Sequence, residues 1–168
     1  MGGSRRRFKA AHPNAFIEGG RPLSRRSRST TSRKRLADSK ILAGVRVMVI
    51  DDSNTIRRSA EIFLMQAGCQ VILADNGFDA LAKIADHQPD LIFVDIMMPR
   101  LDGYQTCALI KKSGKHRATP VIMLSSKDSL FDRARGRMVG SDEYLTKPFT
   151  KESLLKAVEA HLTQRSPA

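Results

Sequence analysis

Cysteine is nearly absent: Cys69 and Cys107 are the whole complement, with no CxxC spacing. That excludes a disulfide-rich scaffold and suits a reduced, cytoplasmic protein with two partly buried thiols. The four histidines, His12, His87, His116 and His161, are scattered, and none stands at ligand spacing with a cysteine, which argues against zinc. No apolar run approaches the roughly 20 residues that a membrane-spanning helix needs, so membrane insertion is not expected. There is no GxxxxGK[ST] loop and no GxGxxG after the first apolar run, which disfavours nucleotide binding. No GxSxG elbow or Ser/His/Asp set is present.

What is present is an ordinary globular composition, 41% hydrophobic and 27% charged, with a very uneven charge. Residues 1–40 hold 12 Lys and Arg against 2 Asp and Glu, and residues 41–168 hold 17 against 15. The net charge of +12 therefore belongs mainly to the N-terminal stretch. That stretch is rich in Arg, Ser and Gly, contains Pro13 and Pro22, and shows no sustained apolar period. It offers too little apolar surface to offset the entropy of ordering, so it reads as a disordered tail. It lacks the apolar region of a secretory signal, and its prolines and glycines interrupt the helix a transit peptide would form. Arg5-Arg6-Arg7 and the stretch from Arg25 to Arg35 are able to meet nucleic acid or anionic lipid through charge alone. Only Phe8 and Phe16 interleave them, so base stacking is not indicated. A solvated tail without a role is the simpler reading.

From Ile41 onward short apolar runs alternate with amphipathic segments. Strands are expected at Val45–Ile50, Val71–Ala74, Leu91–Val94, Val121–Leu124 and, with a weaker pattern, Glu143–Leu145. The third and fourth are continuously apolar, as parallel strands covered on both faces are. A first helix over Asn54–Ala67 places Ile56, Ala60, Phe63, Leu64 and Ala67 on one face, with Gly68 as its stop. A second opens at Asn76 or Gly77 and ends before Pro89; a third runs from about Asp102 to Lys112 and a fourth from about Lys127 to Met138. The last begins at Thr150, a candidate N-cap, with Leu154, Leu155, Val158 and Leu162 as its apolar stripe. Five β/α pairs predict one doubly wound α/β domain over residues 41–168. Right-handed crossovers favour a five-stranded parallel sheet in the flavodoxin-like order 2-1-3-4-5. With six residues after Leu162, no fused DNA-binding module is expected.

Ligands of such sheets bind beyond the carboxyl ends of the strands, where the strand order reverses, here between strands one and three. Those strands end at Asp51-Asp52 and Asp95. Aspartates at strand ends are often mere turn formers and caps. Three together at the switch point would repel one another and raise each other's pKa, so they call for a bound cation. All-oxygen ligation suits Mg²⁺, which accepts a phosphoryl oxygen as a further ligand. Ser125 at the end of strand four and Lys147-Pro148 after strand five add a hydroxyl and a cation to the same edge, as a phosphoryl group would require.

VMVIDDSNTIRRSAE, FVDIMMPRLDGYQT, VIMLSSKDS and DEYLTKPF are similar to the successive signatures of the response-regulator receiver domain, over about residues 44–163. More narrowly, SSKDSLFDRARGRMVGSDEYLTKPFTKESLL resembles the single-domain, chemotaxis-like receivers of type IV pilus twitching-motility systems. The resemblance implies that Asp95 accepts a phosphoryl group from the phosphohistidine of a sensor histidine kinase or its phosphotransfer domain. It implies that Asp52, Asp95 and the Met97 backbone carbonyl ligate Mg²⁺, with Asp51 acting mainly through water. Lys147 would pair with phosphoryl oxygens and Ser125 would move to bind one. The backbone N–H of Ser126 is a further phosphate-binding candidate, and the Ser126 hydroxyl either joins it or faces solvent. Tyr144 matches the aromatic switch residue, and Lys147-Pro148 matches a peptide that is usually cis in the family. The readout would be a downstream protein bound on the face of the fourth helix, fifth strand and fifth helix (Lys127–Val139, Tyr144 and Lys151–Leu162). Arg133, Arg135 and Arg137 lie in it and face either an acidic partner or solvent. Met97 puts a thioether where a polar side chain would orient a hydrolytic water, which predicts slow self-dephosphorylation. Such a protein catalyses only its own phosphorylation and dephosphorylation and is no enzyme toward external substrates. The competing readings are an aspartate-based phosphohydrolase, for which Asp95-Ile96-Met97 lacks the usual second acid, and a phosphorylation-independent scaffold with a nucleic-acid-binding tail.

Overall fold

The computed structural model describes residues 42–126 and 130–163. The tail read at 1–40 and the expected helix start at Lys127 lie outside the described residues. Five strands, β1 (Arg46–Ile50), β2 (Gln70–Ala74), β3 (Leu91–Asp95), β4 (Val121–Ser125) and β5 (Glu143–Thr146), alternate with five helices. The helices are α1 (Asn54–Gln66), α2 (Gly77–His87), α3 (Gly103–Lys112), α4 (Leu130–Met138) and α5 (Lys151–Thr163). All pairings are parallel and the sheet order is β2-β1-β3-β4-β5, the doubly wound, flavodoxin-like α/β order.

Side chains alternate across each strand, so β1, β3 and β4 feed two cores. Val47, Val49, Phe93 and Leu124 meet Ala60 and Leu64 of α1 and Leu154 and Val158 of α5. Met48, Ile50, Val94 and Met123 meet Ala80 and Ile84 of α2 and Tyr104, Cys107 and Ile110 of α3. These central strands have no polar face because helices cover both sides, and each fully buried aliphatic side chain contributes roughly 1.5–3 kcal/mol. The thiols are more deeply placed than partial burial: Cys69 is 7% exposed in the core shared with α1 and α5, and Cys107 is inaccessible in the core shared with α2 and α3.

Three helices start at the carboxyl edge of the sheet with a side-chain cap. Ser53 accepts from Ile56 N–H and Asn76 from Asp79 N–H, while Asp102 and Gln105 form a reciprocal capping box. At α5, the Thr150 hydroxyl accepts from Ser153 N–H at 3.1 Å. These caps satisfy the first amides of each helix and hold the loops of this edge, which carry the acidic residues.

Candidate functional site

Two neighbouring strands deliver three carboxylates to one point. Asp51 and Asp52 follow β1 directly, and Asp95 is the last residue of β3. One carboxylate oxygen from each lies within 4.8 Å of the others. Asp51 is inaccessible and Asp95 is 4% exposed, whereas Asp52 opens to solvent. From the loop after β5, Lys147 Nζ reaches 2.7 Å from Asp51 Oδ2 and 3.0 Å from Asp95 Oδ1. Its backbone N–H donates to the Ser125 carbonyl at 2.6 Å, and the Lys147–Pro148 peptide is cis.

Local bonds fix the acids in place. Asp51 Oδ1 accepts from Ser53 N–H at 2.9 Å, and its carbonyl accepts from Arg57 Nη1 at 2.5 Å. Asp95 Oδ1 accepts a long bond from Met97 N–H, 3.4 Å. Gly103 closes the β3–α3 loop by donating to the Ile96 carbonyl at 3.0 Å. It sits so near that a Cβ there would lie 2.3 Å from the Asp95 carbonyl oxygen.

The electrostatics are unequal. Burial first, and then the neighbouring Asp51 charge, push Asp95 up to about 6 against the help of Lys147. For Lys147, burial works against the charge, but hydrogen bonds and attraction from Asp51 and Asp95 outweigh it and hold the ammonium above its usual range. One ammonium thus faces three carboxylates. The donor set is all oxygen and carries excess negative charge, which fits a hard divalent cation such as Mg²⁺.

The remaining candidates lie around this cluster. Ser125 ends β4, 4% exposed and paired in register with Thr146, and Ser126 beyond it is exposed. The Met97 side chain is 73% exposed, and Pro148 is exposed. Tyr144 lies on β5 opposite Met123, half-buried, with the Arg133 guanidinium 5.3 Å from its ring centre. Arg133 and Arg135 are thus laid over tyrosine rings. Sequence reasoning missed Arg57, Gly103 and Tyr104. Of these only Gly103 left a local signal, following an N-cap aspartate, because nothing in Arg57-Arg58 marks which arginine turns back to Asp51.

The response regulator receiver domain family matches residues 47–159 of this chain. Protein PilG of Pseudomonas aeruginosa is 68% identical over 124 residues, 74% of this chain and 92% of PilG. Response regulator MprA of a Mycobacterium species is 40% identical over 123 residues, and the chain spans only 53% of its length. Among solved structures, the Vibrio cholerae chemotaxis protein CheY4 superposes with a TM-score of 0.68 at 33% identity, over 70% of this chain and 98% of that one. No described helix is long and apolar enough to cross a membrane. The strand order, the acidic edge and these matches agree: the chain belongs to the response regulator receiver domain family.

Proposed function

We propose that the protein is a phosphorylation-driven interaction switch in which Asp95 receives a phosphoryl group from the phosphohistidine of a sensor kinase or its phosphotransfer domain. The observation that carries this reading is the convergence of Asp51, Asp52 and Asp95 within 4.8 Å, with Lys147 bridging two of them. Asp52, Asp95 and the Met97 carbonyl would hold Mg²⁺, with Asp51 acting mainly through water. Bound there, the ion offsets the charge of the carboxylates and of the incoming phosphoryl oxygens.

The chain's own residues account for the rest. The Asp95 carboxylate attacks phosphorus, forming an acyl phosphate as the bond to the kinase imidazole breaks. Lys147 already stands 3.0 Å from an Asp95 oxygen, poised to pair with the added charge. The Ser125 hydroxyl and the Ser126 backbone N–H supply further donors at the end of β4. The new phosphoryl charge biases an existing equilibrium, with Tyr144 following Ser125 and altering the face of α4, β5 and α5 for a downstream protein. The similarity to PilG favours a role in type IV pilus and twitching control, in the cytoplasm.

The test is intact mass after incubation with acetyl phosphate, with and without Mg²⁺, beside Asp95→Asn. One Mg²⁺-dependent phosphoryl adduct, absent from the variant, is expected. Folded, Mg²⁺-replete protein that takes no adduct would instead leave a phosphorylation-independent scaffold.

A further inference from the structure

Helix α4 is weakly anchored. Gly136 is its one buried residue, while Leu130, Phe131 and Met138 are exposed. Two of its arginines instead cover the chain's two tyrosines: Arg133 lies 5.3 Å from the Tyr144 ring centre, and Arg135 lies 4.4 Å from that of Tyr104. The second contact is the more complete. Tyr104 is 4% exposed, and its hydroxyl lies 3.3 Å from both the carbonyl and a carboxylate oxygen of Asp132. Burial, and then the Asp132 charge, push the phenol up to about 12, so it remains a protonated donor.

Tyr104 also follows Gly103, the residue seated against the Asp95 carbonyl and bonded to Ile96. A contiguous path therefore runs from Asp95 through Gly103 and Tyr104 to Asp132 on α4. Beside it an open cavity of about 480 Å³, lined by Ile96–Pro99, Tyr104 and Arg135, leaves room for the helix to shift. At 3.3 Å from either Asp132 oxygen, the Tyr104 hydroxyl stands beyond the usual O–H···O range of roughly 2.5–3.0 Å, so the contact is a weak one.

We propose that Tyr104 is a positioning residue that latches α4 to the start of α3, beside the acceptor loop, in the resting state, reporting the state of Asp95 by a route separate from Ser125 and Tyr144. The latch rests on the reading of Asp95 as phosphoacceptor. A contact made in only one of two arrangements shifts their balance by its own strength. Loss of the hydrogen bond alone, or of the cation–π contact alone, corresponds to roughly 3–10-fold. By linkage, either loss raises the affinity of anything that binds the other arrangement by the same factor.

The experiment uses the full chain with Tyr104→Phe, which keeps the ring and removes the hydroxyl, and with Arg135→Ala. Hydrogen exchange over residues 130–138 is measured beside calorimetric titration with beryllium fluoride and Mg²⁺, a non-covalent mimic of the phosphoryl group. Exchange in α4 is expected to quicken by roughly 3–10-fold while α1 and α5 are unaffected, and beryllium fluoride affinity is expected to rise by a similar factor. The double variant should gain less than the product of the two, because the contacts act as one unit. Unchanged α4 exchange overturns the latch, and so does faster exchange with unaltered affinity, which would make Tyr104 a packing residue only. An unsubstituted protein that binds no beryllium fluoride, or Asp95→Asn that binds it equally well, overturns the phosphoacceptor reading and the coupling with it.

Discussion

Lys147 gains from both carboxylates beside it, whereas Asp95 has burial and Asp51 against it and Lys147 in its favour. The folded-state pKa of Asp95, about 6, lies above the ordinary 3.8, so the fold binds the Asp95 proton more tightly than the unfolded chain does. Its contribution to stability is present below about pH 4 and is lost as pH rises through about 6. Asp95→Asn should therefore stabilise the protein in chelator at pH 7 by up to roughly 2–3 kcal/mol, and the gain should vanish at pH 4, as denaturant melts at the two pH values would show. Lys147→Met should act in the opposite direction. It leaves inaccessible Asp51 without its cation, at a cost of roughly 3–5 kcal/mol in chelator, and added Mg²⁺ should recover part of this. At Met97 the exposed thioether offers nothing to a hydrolytic water, so Met97→Asn should speed loss of the phosphoryl group severalfold, timed by intact mass.

At the scale of elements, strand ends and helix starts are one device. Strand β3 runs one residue further than its apolar run, to Asp95, and β4 likewise runs to Ser125, because ladder bonds with their neighbours continue past the hydrophobic residues. Caps at Ser53 and Asp102 then start α1 three residues beyond β1 and α3 seven residues beyond β3. The start of α3 is held tightest, since Gly103 has backbone where another residue would carry Cβ. Gly103→Ala must move the Asp95 backbone and should cost roughly 1–3 kcal/mol, with slower phosphorylation by acetyl phosphate as the second readout. Helix α4 is the contrast: side-chain contacts to two tyrosines attach it more than core packing does. That makes it an element able to shift without disturbing either core.

For the whole molecule, charge is spread unevenly along the chain. Among the described residues both cores draw on residues 42–162, while 12 of the 29 Lys and Arg precede residue 41. Deleting residues 1–40 should leave the melting temperature and acetyl phosphate reactivity unchanged while abolishing salt-sensitive DNA binding, if any is measured in the full chain. Much was legible in advance from local pattern. The continuous apolar run Leu91–Val94, the stripe of α5 and the stop at Gly68 determined element type. Together with right-handed crossovers they determined the strand order and the edge where Asp51, Asp52 and Asp95 must lie. Only the tertiary structure decided that Lys147 spans 96 positions to bridge two of those acids, that Arg57 rather than Arg58 holds the Asp51 carbonyl, and that Tyr104 is clamped by Asp132 and Arg135. The physical reason is that period and capping are set by neighbours a few residues apart. Which side chains converge, and how deeply each charge is buried, depends on how the helices settle on the sheet.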